Sequence, residues 1–333
     1  MKVSQLALAA FLSFGASDAF VAPKSSFMPR ASSSALDSLA PPAPSGRSKG
    51  GRSDDEIHSE LSSGKILEGG KVIDFEAIKG PSKAEKTLLD AKNEILKSGV
   101  TYVPAGNSIL GINSDVIAEV GHDLGMFATP EEIQRCAAHL RSLAPEGFFK
   151  SRGINGAVNG ASENFTTVDK TVFDELLLKA YFESGEVTGA FAKTFFMGTQ
   201  LLPPVAREAI WAIYVWCRRT DEIVDAPRDS NEEMLKDLAS WEMRLENLWK
   251  YGEVEDVFDL CLLDVLVKYP TLPITPFMDM IRGMLMDVPS LGQDRYDTFD
   301  ELHLYCYRVA GTVGLMSLPV FGCAEGFDDI IAK

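Results

Sequence analysis

From residue 165 onward the sequence predicts an all-α fold, behind a Ser-, Ala- and Pro-rich leader expected to be disordered. Three observations carry that expectation. Apolar residues fall at helical spacing in "VFDELLLKAYFESGEVTGAFAKTFFMGTQLLP", which predicts one helix over residues 172–183 and another over 186–199. The next segment, "PPVAREAIWAIYVWCRRTDEIVDAP", opens on Pro203 and Pro204 and closes at Pro227, which bounds a helix over 204–224. No GxGxxG follows a strand, so a nucleotide-binding α/β unit is not expected. With 46% hydrophobic residues the chain has ample material for a core.

The leader comes first. "MKVSQLALAAFLSFGASDAF" has Lys2, an apolar run from Leu6 to Phe14 and small residues at Ala16, Ser17 and Ala19, the pattern of a signal peptide over residues 1–19. Residues 20–52 carry basic charges apart from Asp37 and read as a disordered transit peptide. The junction "ASDAFVAP" resembles the bipartite presequences of algae with secondary plastids, which implies delivery to a plastid. Five cysteines, at 136, 217, 261, 306 and 323, are odd in number and lack CxxC spacing. They fit a reducing compartment better than a disulfide framework or a zinc site.

Residues 53–164 form a partly helical extension. "KAEKTLLDAKNEILKSG" has helical spacing at Leu88, Leu89, Ile95 and Leu96 and stops at Gly99. "TPEEIQRCAAHLRSLAPEG" opens with Thr129 as N-cap, Pro130 in the first turn and Glu132 completing a capping box. His122 and His139 stand alone and read as packing or surface residues. "GINGAVNGASEN", residues 153–164, reads as a linker, and residues 165–333 as the main helical domain. The net charge of −16 argues against a nucleic-acid partner, because phosphate backbones demand clustered Lys and Arg.

The helix over 204–224 carries the chemistry. With Tyr214 as zero and an advance of about 100° per residue, Arg218 falls near 40°, Asp221 near −20° and Asp225 near 20°. All four share one narrow stripe, while Trp211, Ile213, Val215 and Trp216 spread over other directions and mark a central helix. Two carboxylates four residues apart repel each other unless a cation offsets them. Arg218 could do so as an ordinary ion pair. A divalent cation could do so instead, since Mg²⁺ takes one or two carboxylates plus substrate phosphates. Arg218 and Arg219 could then clamp phosphate oxygens by bidentate hydrogen bonds.

The stretch "AKTFFMGTQLLPPVAREAIWAIYVWCRRTDEIVDAP" resembles the first aspartate-rich region of phytoene synthases, within the squalene/phytoene synthase superfamily. "PITPFMDMIRGMLMDV" and "RYDTFDELHLYCYRVAGTVGLMSLPVFG" resemble later stretches of the same enzymes in the same order, so the likeness covers about Phe173 to Gly322. The resemblance implies an isoprenoid-synthase-type helical fold and condensation of two geranylgeranyl diphosphates into phytoene through a cyclopropyl diphosphate. Carried over, Asp221 and Asp225 match Mg²⁺–diphosphate ligands, with Mn²⁺ as the alternative metal, and no nicotinamide is expected. Tyr214 and Arg218 match positions at the same site. Phe195 matches an aromatic position facing the prenyl chain, and Tyr307, Thr312 and Val313 a helix lining the cavity. The partners implied are geranylgeranyl diphosphate, a peripheral plastid membrane that receives the apolar product, and other carotenoid-pathway enzymes.

The chain also departs from its family. The "RRTDEIVD" form points away from squalene synthases, whose motif carries an extra acid before its last Asp. The second aspartate-rich motif is not seen before Lys333, and Asp328 and Asp329 do not match it. The domain is therefore expected to be incomplete: a fragment of an enzyme with little activity alone, or a non-catalytic member acting as an assembly factor or partner of carotenoid enzymes. Asp287 reads equally as a structural cap or as part of a diphosphate network, and Tyr305 as core; for Lys193 a phosphate contact is the weaker of its readings.

Overall fold

The computed structural model describes residues 66–68, 71–73, 83–98, 120, 123–150, 170–225, 230–288, 296 and 298–322. The expected signal peptide, transit peptide and 153–164 linker lie outside the described residues, as do Asp328 and Asp329. The chain divides into two compact units. In the unit formed by Gly15–Ile78 and Cys323–Lys333, the described part is a hairpin of β1 (Ile66–Glu68) and antiparallel β2 (Lys71–Ile73), with Leu67 opposite Val72. This hairpin departs from the helical or irregular extension expected there. Its sequence, "ILEGGKVI", places two glycines between short apolar runs, a favoured hairpin composition.

The other unit, described from residue 83 to Gly322, is helical. It contains α1 (Lys83–Ser98), α2 (Pro130–Leu143), α3 (Lys170–Phe191), α4 (Lys193–Thr199) and α5 (Pro204–Asp225). These are followed by α6 (Asn231–Tyr251), α7 (Val257–Lys268), α8 (Thr275–Leu285) and α9 (Phe299–Cys306). A π-helical turn, Tyr307–Gly311, joins α9 to α10 (Thr312–Phe321) without interruption.

Local signals explain most boundaries. The Thr129 side chain accepts from the Glu132 N–H while Glu132 reaches back to the Thr129 N–H, closing the capping box in both directions. Ser230, Asp256 and Thr298 cap α6, α7 and α9 with side-chain oxygens that accept from backbone donors a first turn leaves open. Gly252 ends α6 in the left-handed region at φ 65°, which favours glycine.

One expected break is absent. Ser184 and Gly185 were read as the gap between two helices, but α3 runs through them to Phe191 and the chain breaks at Ala192. Gly185 marks a close approach: a Cβ there would sit 2.9 Å from the Trp211 ring of α5. Ser184 keeps its hydroxyl satisfied by donating to the Ala180 carbonyl at 2.9 Å.

Helix α5 is central, as its all-round apolar surface requires. It is packed by α3, α6, α7, α8 and α10. Trp216 stacks on Trp241 at 6.0 Å and meets Phe277 edge-on at 4.8 Å. Ile210, Ile213 and Val215 are fully buried, each burial stabilising the fold by roughly 1.5–3 kcal/mol. The stretch Phe299–Phe321 is long and apolar enough to cross a membrane by length and composition alone. In the fold it lies against α5 and α8, and Cys217 contacts Met316 at 3.7 Å.

Candidate active site

The stripe predicted on α5 forms. Tyr214 is 3% exposed, and Arg218, Asp221 and Asp225 are half-buried at the same edge of the helix. Arg218 donates from Nη1 to Asp221 Oδ2 at 3.0 Å and also pairs with Glu222. The end of α3 and the start of α4 close over this edge with aromatic rings. The Arg218 guanidinium lies 4.4 Å from the centre of the Phe191 ring, and Phe195 is 5.6 Å from Tyr214. Such faces attract cations. Burial raises the Tyr214 phenol well above its ordinary value and outweighs the opposing pull of Arg218, so the hydroxyl stays protonated.

Arg219 is not part of this edge. It is 1% exposed and turns to α7, where Nη2 donates to Asp256 Oδ2 at 2.7 Å and Nη1 lies 3.5 Å from Asp259. Arg244 joins the same buried network, with Nε donating to Asp259 Oδ2 at 2.7 Å. Burial alone would raise the Asp256 carboxyl, but Arg219 and Arg244 together hold it down at about 2. Of the two arginines expected at this edge, the structure places Arg218 there and Arg219 elsewhere. Helical geometry explains the correction: consecutive residues differ by about 100°, so two adjacent arginines cannot share one stripe.

The stretch "YCYRVAG" also divides differently from the expectation. The Tyr307 hydroxyl donates to Asp279 on α8 at 3.3 Å, and burial together with that carboxylate pushes its phenol up to about 12. Tyr305 lies in the core, as expected. It is 1% exposed, and its hydroxyl donates to both Asp287 oxygens at 3.1 Å. Burial and Asp287 raise its phenol strongly, and the charge of Asp221 contributes as well. The Tyr296 ring lies tilted beside it at 5.2 Å, and its phenol is raised by burial and the same carboxylate. Asp287 and Tyr305 thus form a hydrogen-bonded pair where the end of α8 meets α9 and the π turn. Thr312 and Val313 are buried on α10, with the Thr312 hydroxyl donating to the Arg308 carbonyl at 2.8 Å.

The donor set bears on a metal. Among the described residues no three His, Cys, Asp or Glu side chains gather into a closed cage. Asp221 and Asp225, half-buried one turn apart, offer oxygen ligands of the hard type that Mg²⁺ prefers, to be completed by a ligand's phosphates and water. The residues fit an ion held jointly by protein and substrate.

Residues 189–331, which include this whole edge from Phe191 to Tyr305, match the squalene/phytoene synthase family. The helical unit is all-α, consistent with the isoprenoid-synthase-type fold. Over 146 residues, 44% of this chain and 46% of the relative, it is 56% identical to 15-cis-phytoene synthase of Synechococcus elongatus. It is 54% identical over 149 residues to the chloroplastic phytoene synthase 2 of Oryza sativa, covering 45% of this chain and 36% of that one. Against the chloroplastic phytoene synthase 1 of Arabidopsis thaliana the identity is 54% over 147 residues, 44% of this chain and 33% of the relative. The chain spans less than half the length of these curated relatives.

The pairing of Asp287 with Tyr305 was not expected from the sequence. Asp287 and Tyr305 are 18 positions apart and meet only through the packing of α8 against the π turn, so no local spacing announces them. The available signal was an aspartate directly after the apolar turn "GMLM", where a solvated loop acid would be less expected.

Proposed function

We propose that this chain carries the first-aspartate half of a plastid enzyme that joins two geranylgeranyl diphosphates head to head into phytoene. The observation that supports this reading is the α5 edge: Asp221 and Asp225 on one stripe with Arg218 and Tyr214, roofed by Phe191 and Phe195. Asp221 and Asp225 would hold Mg²⁺, and when bound that ion supplies charge neutralisation for a departing diphosphate. Arg218 would donate to the same diphosphate oxygens. In the first half of the reaction one substrate loses diphosphate, and its allylic cation is attacked by the other's double bond. Proton loss closes the cyclopropylcarbinyl diphosphate. In the second half that species loses diphosphate, rearranges and gives up another proton.

Both cations must be kept from water, and the rings of Phe191, Phe195 and Tyr214 offer faces suited to stabilising them. Tyr305, neutral and donating its hydroxyl to Asp287, would orient that carboxylate in the diphosphate network. Phytoene has no polar group and must leave toward lipid. The exposed apolar corner between α4 and α5, with Met197 at 64%, Leu201 at 89% and Val205 at 50% exposure, supports contact with a membrane surface there. The leader sequence and the chloroplastic names of the plant relatives support a plastid location.

The test is calorimetric titration of the chain with geranylgeranyl diphosphate, with and without Mg²⁺. Binding should require the ion, and Asp221→Asn should weaken it by at least about tenfold while far-UV circular dichroism stays unchanged. Equal affinity of the variant and the parent chain removes Asp221 from the site and ends this reading.

A further inference from the structure

Helix α1 lies outside the segment that matches the family, yet it is fastened to that segment at two points. Its apolar stripe, Ala84, Leu88, Ala91 and Ile95, packs against the core and rests on α6 and α8. On one flank Lys92 donates to Glu242 at 3.2 Å and to Glu246 at 2.7 Å. These acids are one turn apart on α6 and repel each other, so a cation between them offsets a like-charge pair. On the other flank Glu85 accepts from Arg308 Nη2 at 2.7 Å, with both side chains less than a fifth exposed.

Arg308 is the second residue of the π turn. Its other guanidinium nitrogen, Nη1, lies 3.9 Å from the Met286 sulfur, and Met286 is the neighbour of Asp287. Its stem lies so close to Gly283 of α8 that a Cβ there would come within 2.9 Å of the Arg308 Cβ. One side chain therefore ties the π turn to α1 and to the end of α8, where Tyr305 meets Asp287. A π turn departs from the regular i→i−4 bond pattern, and such turns are frequent at functional sites. Its placement here is fixed by anchors on both sides.

We propose that α1 is a strap, and that Glu85, acting through Arg308, is a positioning residue for Tyr305 and Asp287. The inference rests on the reading of those two residues as part of the diphosphate site. It gives a segment outside the matched family region a part in shaping that site.

The test uses the full chain with Glu85→Gln, Arg308→Gln and the reciprocal swap Glu85→Arg with Arg308→Glu. Hydrogen exchange is followed by mass spectrometry, and affinity is measured for geranylgeranyl thiodiphosphate with Mg²⁺. Each single change should speed exchange over residues 299–312 by about tenfold, the size of one charge-assisted hydrogen bond, and leave α7 unchanged. Each should also weaken the analogue's binding by several-fold, and the swap should restore both readouts. Unchanged exchange over 299–312, or an equal rise in α7, overturns the strap. Faster exchange with unaltered affinity overturns the positioning role. If the parent chain takes up no analogue, the diphosphate reading and with it the positioning role fail, and exchange alone decides whether α1 is a strap.

Discussion

Replacing Gly283 by alanine puts the α8–π-turn contact under direct strain. The new Cβ would stand 2.9 Å from the Arg308 Cβ, 3.0 Å from Val309 Cγ1 and 3.1 Å from the Arg308 carbonyl carbon. None of these atoms is the free end of a flexible chain, so relief requires the π turn to move. In an open helix the exchange of Gly for Ala gains roughly 0.5–1 kcal/mol. Overpacking a filled contact costs about 1–3 kcal/mol. The steric effect is the larger, and a net loss of about 1–2 kcal/mol follows. For a unit of this size that lowers Tm by roughly 2–8 °C. Gly198→Ala is the control, because a Cβ there meets nothing within 4 Å. Urea and thermal unfolding of both variants decide the matter. A Gly283→Ala protein as stable as its parent, or a Gly198→Ala protein equally damaged, refutes the close-packing argument.

Other expectations follow from the buried charges. Arg219→Ala leaves Asp256 and Asp259 with Arg244 as their remaining arginine, and should cost about 3–5 kcal/mol in urea unfolding. Under stabilising conditions the same variant should bind Mg²⁺–diphosphate as its parent does, whereas a large affinity loss would return Arg219 to the site. Alkaline stability should fall from pH 10.0 to about 12, the range over which Tyr307 stays protonated in the fold but ionises when unfolded. The folded chain then binds more protons than the unfolded one, so each such tyrosine removes up to about 1.4 kcal/mol per pH unit. Tyr214 and Tyr305, raised further by burial, act in the same direction, and a flat stability profile up to pH 12 would contradict all three assignments.

How much of this was legible in the sequence depended on how local the cause was. The α2 capping box and the proline-bounded α5 came out nearly residue for residue, because caps and prolines act within one turn. The stripe of Tyr214, Arg218, Asp221 and Asp225 was legible for the same reason. Gly185 misled, since a glycine inside apolar sequence looks like a stop; its cause, Trp211, lies 26 positions away. The second arginine misled because two adjacent basic residues suggest one patch, while the helix turns them toward different neighbours. The contact of Tyr305 with Asp287 and the strap contacts of Glu85 and Arg308 were out of reach. Each is decided by which helices meet, and no spacing within one segment encodes that.

Arg218 raises a last question of competition. It is already engaged, donating to Asp221 and paired with Glu222, so the free site neutralises its own carboxylates. A diphosphate approaching alone meets a guanidinium whose Nη1 and Nη2 already face carboxylates. A divalent ion on Asp221 would compete for that carboxylate and release Arg218 donors toward the diphosphate. Ion and diphosphate should therefore bind with positive coupling, and by linkage each should raise the other's affinity by the same factor. Arg218→Ala should reduce this factor, measured with inorganic pyrophosphate and Mg²⁺, by roughly fivefold or more beyond any loss of pyrophosphate affinity itself. Glu222→Gln, which weakens the hold on Arg218 without touching the aspartates, should raise pyrophosphate affinity in the absence of the ion. Equal coupling in the parent chain and Arg218→Ala would mean that this arginine serves the helix alone, as an ion pair, and not the ligand.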